Sequence, residues 1–297
     1  MSLENNHWSD KTKVLGANLT VTYDEHLPRG PINSVYLENT EGGAGTNGFV
    51  GTGVSRYQGK VGTDFFMDVA PIFLRALFEP LWCKNGGRVP AAADLAWEFD
   101  FSLLSQLLPQ VEEAGVKRDS TVGLPGDSLK KWTTIFGAAG TVGVGIIGYE
   151  DADEPDWIPY LMPHTFQDMV DGAKVRNRHE LMLQPLLCAG FVMDMGATEV
   201  AADGLTLQLA DKNGVLQRQQ TQLRRAQLLA KLKPFIHGDI QDPVFIPLDV
   251  PRVIEHHSVL YIDTAAAFLK TQEYLPVMFK LNPRGAIARG AAKVVAA

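Results

Sequence analysis

The sequence is short of what most catalytic and cofactor sites require. Its 297 residues contain two cysteines, Cys83 and Cys188, and neither belongs to a CxxC pair. This excludes a disulfide framework and a thiolate zinc cluster, leaving two thiols in apolar surroundings that read as buried structural cysteines. The seven histidines form no HExxH helix and no paired Cys/His set, so the sequence implies no metal and no cofactor. Dense Lys/Arg runs are missing too, and the formal net charge is −7. Specific nucleic-acid binding would want a basic patch, and the composition supplies none. The first residues, MSLENNHWSDKTK, lack the apolar core of a signal peptide, which points to synthesis in a reducing cytoplasm.

What is present is a globular balance of 45% apolar and 21% charged residues, enough for a substantial core. One stretch stands apart. Trp132–Tyr149 runs for 18 residues without a charge, between Lys130–Lys131 and the acidic residues from Glu150 onward. That approaches the length of a membrane span. Its five glycines and three threonines dilute the apolarity, and the alternation of Val142, Val144 and Ile146 suits a strand. The expectation is a buried strand pair, with contact to lipid as the competing reading.

Elsewhere the pattern is one of short apolar runs between Gly/Pro-rich turns. Strands are expected at Leu19–Tyr23, Ser34–Glu38, within 54–69, at Ala96–Phe101, at 205–209, at Val244–Leu248 and at Val259–Ile262. Residues 39–53 are a Gly-rich loop. Residues 72–82 read as a short helix stopped at Pro80, or as a buried strand. The clearest helix covers Gln217–Lys233, ended by Pro234. The rhythm of strands alternating with long helices that marks a parallel α/β fold is missing. The fold class is therefore mainly β with few short helices, a β-sandwich or jelly roll.

Phe65–Ala70 (FFMDVA) echoes Phe191–Gly196 (FVMDMG) at an offset of 126 residues. Two tandem β domains would produce such an echo. The expected organisation is an N-terminal arm at 1–13, a first β domain at 14–150, a second at 151–280 and a C-terminal tail at 281–297.

Two linear motifs suggest chemistry, and each lacks its context. Gly126–Leu129 spells GDSL, in which the serine would be a nucleophile requiring a base. No histidine here has an aspartate three positions before it. Ser128 or Asp127 is better read as the cap of a turn. Gly143–Gly148 fits GxGxxG, which binds phosphate only where a helix begins. Here an acidic run, Glu150–Asp156, and two prolines follow. That run could hold a hard cation through oxygen ligands, but lacks the spacing of an EF-hand and reads as a solvated loop. His256–His257 precede a strand and are poorly placed to share one metal.

The length, the β-rich pattern, the tandem echo and the terminal arms resemble the jelly-roll major capsid proteins of tailless, membrane-containing icosahedral bacteriophages. The resemblance implies one or two eight-stranded jelly rolls standing upright in a shell. It further implies trimeric or pseudo-hexameric capsomers, other capsid proteins and an internal lipid membrane as partners, and location in the virion. It implies no catalytic residues. Two alternatives stay open. One is a serine hydrolase using Ser128 with His237 or His256 as base. The other is a carbohydrate- or protein-binding β-sandwich with an exposed patch drawn from Trp82, Trp97 or Trp157.

Overall fold

Period-two apolarity forces a strand to bury one face, and a sheet with one greasy face needs a second sheet to cover it. A computed structural model shows how this chain meets that need. It describes residues 6–8, 13–14, 20–23, 29–41, 54–84, 96–113, 115–126, 128–136, 143–151, 153–165, 176–193, 206–213, 243–263, 273–288 and 293–294. The chain divides into two compact units. The first comprises residues 1–78, 88–162 and 280–297, and the second 79–87 and 163–279.

In the first unit the strands are β1 (Asn6–Trp8), β2 (Lys13–Val14), β3 (Thr20–Tyr23), β4 (Ile32–Glu41), β5 (Val54–Val61), β6 (Asp64–Val69), β7 (Ala96–Asp100), β8 (Val111–Glu113), β9 (Val116–Arg118), β10 (Lys130–Phe136), β11 (Gly143–Asp151) and β12 (Trp157–Tyr160). One sheet runs β1-β11-β4-β7, with β2 also on β11, and the other runs β3-β10-β5-β6. Counting β1/β2 as the first of eight positions and β11 as the last, the sheets read 1-8-3-6 and 2-7-4-5. Only the β5–β6 hairpin joins strand neighbours in sequence; every other connection between these positions crosses to the opposite sheet. This is jelly-roll connectivity. The small β8–β9 hairpin projects from the long β7–β10 connection and is joined by the last strand of the chain.

The second unit repeats the order. Its strands are β13 (His164–Thr165), β14 (Arg176–Leu181), β15 (Leu187–Met193), β16 (Thr206–Ala210), β17 (Val244–Val253), β18 (Ser258–Asp263) and β19 (Glu273–Leu281). In one sheet β13, β19, β15 and β17 follow one another, and the other runs β14-β18-β16. These are positions 1-8-3-6 and 2-7-4. No fifth position is among the described residues of this unit, and the helix expected at 217–233 also lies outside them.

The chain then returns to the first unit through a short helix, Pro283–Ala288, and β20 (Lys293–Val294), which pairs with β8. At the other terminus β1 pairs with β11 through Asn6–Glu150, His7–Tyr149 and Trp8–Gly148. Residues 6–8, 282–288 and 293–294, assigned from sequence to an arm and a tail, are thus paired or packed within the first unit. Residues 151–162, assigned to the second domain, also cluster with the first.

Three expectations meet corrections. The uncharged stretch forms two strands, but β10 and β11 lie in opposite sheets and do not pair with each other. The helix at Pro71–Lys84, here α1, continues through Pro80. Phe73, Leu74, Leu77, Phe78 and Leu81 are buried along it, and five buried side chains at about 1.5–3 kcal/mol each outweigh the roughly 3 kcal/mol proline penalty. Finally, the FFMDVA/FVMDMG echo is not the repeat. The first copy lies mostly in β6, position five, and the second begins in β15, position three. No described helix is long and apolar enough to cross a membrane.

The first unit's core is aromatic. Trp132 on β10 and Tyr57 on β5 come from one sheet and Phe99 on β7 from the other, all fully buried. Ring centroids are 5.0 Å apart for Phe99–Trp132, 5.2 Å for Tyr57–Phe99 and 5.9 Å for Tyr57–Trp132. Phe78 of α1 meets Phe99 edge-on at 6.3 Å. Trp132→Ala is expected to cost about 3–5 kcal/mol in chemical denaturation. Ile72→Ala, at a half-exposed position of α1, is expected to stay within about 0.5 kcal/mol of wild type.

Candidate functional site

The GDSL segment and part of the acidic run meet at one polar junction of the first unit. Asp156, 5% exposed, accepts both arms of the Arg118 guanidinium at 2.8 and 3.0 Å. It also accepts the Thr121 backbone N–H and hydroxyl, each at 2.9 Å. A bidentate guanidinium and two further donors saturate the carboxylate, which is what allows it to be buried. Two residues earlier, Glu154 accepts the Gly126 N–H at 3.0 Å and the Asn282 side-chain amide at 2.9 Å. Asn282 donates as well to the Pro155 carbonyl at 2.8 Å, and Arg284 donates to the Gly126 carbonyl at 3.1 Å. Gly285 packs so close that a Cβ there would meet the Pro155 oxygen at 2.1 Å. The junction therefore ties together segments 118–126, 153–157 and 282–285.

The acidic run is accordingly not a uniformly solvated loop. Glu150 and Asp151 belong to β11, Asp153 is exposed, and Glu154 and Asp156 are engaged as above. Among the described residues no group of three or more His, Cys, Asp or Glu side chains is arranged to hold a metal.

The GDSL segment belongs to the same junction. The Gly126 amide is taken by Glu154. The Ser128 carbonyl accepts Lys130 Nζ at 3.4 Å. Lys130 is fully buried and also donates to the carbonyls of Gly30 at 2.6 Å and Arg29 at 3.2 Å. Ser128 thus sits in a turn braced by a lysine. His256 belongs to the second unit, in the turn between β17 and β18, with Nδ1 3.2 Å from the Leu183 carbonyl. His237 and Asp127 lie outside the described residues. The GxGxxG segment is β11 itself, hydrogen-bonded to β4 on one side and to β1 and β2 on the other. No helix follows for a phosphate to cap. Of the tryptophans offered as a binding patch, Trp157 is 7% exposed and Trp82 is half-buried, and the Trp97 side chain lies outside what is described.

His257, next to His256, adopts a left-handed φ of 66°, which costs a non-glycine residue about 1 kcal/mol or more. Its Nδ1 is bonded to Glu180, and its backbone N–H donates to the Leu181 carbonyl at 3.0 Å. The pair closes the turn and holds no metal set.

Cys188 is buried, and desolvation pushes its thiol up to about 12 despite the nearby Arg252. A thiol with that value is not a nucleophile near neutral pH. Sequence reading missed the Arg118–Asp156 clamp, the Lys130 carbonyl cage and a buried His179 on β14. The only advance signal for these was a charged or imidazole side chain within a strand-like run.

What distinguishes the molecule is thus its architecture: two sandwiches in one chain whose described strands follow one order, through eight positions in the first and seven in the second. The fold is similar to that of viral major capsid proteins. The major capsid protein P2 from Bacteriophage PM2 superposes with a TM-score of 0.60 at 11% identity, covering 93% of this chain and 97% of that one. A chain from Sulfolobus Turreted Icosahedral Virus gives 0.59 at 12% identity, covering 95% and 92%. PBCV-1 VP54, fitted into a reconstruction of the virophage Sputnik, gives 0.51 at 11% identity, covering 93% and 96%. No protein-family model and no curated protein sequence matches the chain. The likeness to P2 and VP54 runs through both units, and it is one of fold at a level where few residues are shared.

Arg118→Ala is expected to destabilise the first unit by about 3 kcal/mol, because it strands a buried carboxylate. Asp156→Asn, which keeps most of the hydrogen bonds, is expected to cost about half of that. Urea midpoints of the two variants check the ranking.

Proposed function

We propose that this protein is a building block of a viral capsid shell, a major capsid protein whose activity is self-assembly. The observation that carries the reading is the coverage: the similarity to capsid-protein folds extends over more than nine-tenths of this chain and of each protein compared. A shared single sandwich would be weak support, since that architecture serves many functions. Two of them in tandem, matched end to end, is a more demanding coincidence. The GDSL segment beside the junction and the GxGxxG segment in β11 both serve as scaffold, which fits a structural role.

On this reading the partners are copies of the same chain, in a trimer or a larger shell, together with other capsid proteins. The location is the virion after synthesis in the host cytoplasm. An internal lipid layer remains part of the proposal as a partner of the assembled shell. The uncharged stretch is not the argument for it, because the described parts of that stretch are β10 and β11.

The test is the assembly state of the purified chain. Light scattering is expected to give trimers of the 32.5 kDa chain, and negative-stain microscopy is expected to show trimers or regular particles. A monomer at every concentration, with no particle formed, would overturn the reading. The same preparation tests the hydrolase alternative. Ser128→Ala is expected to leave assembly and any background ester hydrolysis unchanged; hydrolysis that disappears with the hydroxyl would restore that alternative.

A further inference from the structure

The polar junction of the first unit is held by two separable sets of bonds. One set ties segment 118–126 to segment 153–157. Besides the Arg118–Asp156 clamp and the two Thr121 bonds to that carboxylate, the Asp156 N–H donates to the Thr121 carbonyl at 3.1 Å and to its hydroxyl oxygen at 3.0 Å. The Trp157 N–H donates to the same carbonyl at 3.0 Å, and the Gly123 N–H donates to the Trp157 carbonyl at 3.1 Å. Leu124 is fixed in turn by paired backbone bonds with Ile32 of β4, at 3.1 and 2.8 Å. Glu154 Oε2 accepts the Gly126 N–H. None of these bonds involves residues 282–285, so the two segments form walls that stand without them.

The second set runs from residues 282–285 to those walls. Glu154 gives its other oxygen, Oε1, to the Asn282 side-chain amide at 2.9 Å, and that amide also reaches the Pro155 carbonyl at 2.8 Å. The Asn282 backbone N–H donates to the Asp156 carbonyl at 2.8 Å, and Arg284 Nη1 donates to the Gly126 carbonyl at 3.1 Å. In these bonds the walls supply the acceptors and the segment supplies the donors: a carboxamide, a backbone N–H and a guanidinium. The segment also shapes itself. Asn282 Oδ1 accepts the Arg284 backbone N–H at 3.2 Å, as an N-cap does, and Pro283 opens the short helix Pro283–Ala288. Asn282 is 2% exposed. At buried Gly285 a Cβ would lie 2.1 Å from the Pro155 oxygen and 3.3 Å from Asp156 Cα, an approach to backbone that only glycine makes without displacement.

We propose that the two walls are a peptide-binding slot that reads the sequence Asn-Pro-Arg-Gly, and that residues 282–285 are its tethered ligand. Three demands define what the slot takes. The first residue must be a carboxamide, because it bridges Glu154 and Pro155 with its N–H groups while its oxygen accepts from the third residue. The third must carry a side-chain donor long enough to reach the Gly126 carbonyl. The fourth must be glycine, to pass the Pro155 oxygen. The tether presents this ligand at an effective concentration on the order of millimolar, so a slot of modest intrinsic affinity stays filled. The pairing of β20 with β8 is a second anchor further along the same segment. Slot and ligand both belong to the first unit, and neither the proposal nor its test depends on an assembled shell.

The test uses the full-length chain carrying Gly285→Ala, which bars the tethered ligand from the slot and leaves the walls untouched. Amide hydrogen exchange is expected to show Asn282 and Arg284 protected in the wild type and exposed in the variant, with Gly123, Asp156 and Trp157 protected in both. A fluorescent peptide of residues 281–297 is then expected to bind the variant about tenfold or more tighter than the wild type by anisotropy, because in the wild type the tethered copy competes. Peptides carrying Asn282→Ala, Arg284→Ala or Gly285→Ala are each expected to bind the variant about tenfold or more weakly than the unaltered peptide. Should Gly285→Ala not fold, full-length Asn282→Ala, which removes the carboxamide, serves with the same readouts. The proposal is overturned if the segment stays protected in the folded variant, or if the walls lose protection along with it. An emptied slot that ignores the peptide, or that takes the altered peptides equally well, also overturns it.

Discussion

The contact of Trp132 and Tyr57 with Phe99 is the one on which the first unit turns. Trp132 and Tyr57 project from one sheet and Phe99 from the other, and all three are sealed from water. Jelly-roll connectivity makes this contact necessary. Six of the eight positions find their hydrogen-bonded partners only far away in sequence, so local propensity alone cannot hold the sheets together. A large, shape-specific aromatic interface supplies the missing specificity, and α1 caps it through Phe78.

That connectivity also explains what the sequence could and could not reveal. Strand positions were legible because period-two burial is a local property: 54–69 reads as strand, turn, strand, and folds so, with the turn at Gly62 at a φ of 63°. Partner choice was not legible, because nothing in β11 names β4 or β1 as its neighbours. The strand expected at Val244–Leu248 shows a subtler limit. It continues past Pro247 and Pro251, and β17 is one strand from Val244 to Val253. Pro247 sits opposite Gly190 where the register of β15 shifts. A proline's missing donor is tolerated at such an irregularity. Duplication was inferred from FFMDVA and FVMDMG, which occupy non-equivalent strands; the matching strand orders of the two units are the sounder basis.

The two units solve the buried-polar problem with different chemistry. In the first, carboxylates of Glu154 and Asp156 are saturated by amides, a hydroxyl and an arginine, and Lys130 is saturated by backbone carbonyls. In the second, the buried imidazole of His179 and the phenol of Tyr274 bond each other between the sheets. The acidic residues were misread as solvated because composition reports charge and not burial. GDSL was rejected on sequence for want of a base. Its fate shows where such a segment goes instead, since both its glycine amide and its serine carbonyl are spent on internal hydrogen bonds.

The return of residues 280–297 to the first unit carries a consequence for the order of synthesis. A ribosome releases β1 to β12 well before Asn282, and the whole of 163–279 emerges in between. Until then Glu154 has the Gly126 amide but not the Asn282 amide, and the Gly126 carbonyl has no Arg284. The sandwich translated first is therefore the one completed last. While the second unit is made, the first holds both of its sandwich sheets but lacks the Asn282 and Arg284 bonds and the β20 strand, so the β8 edge stays open to other copies.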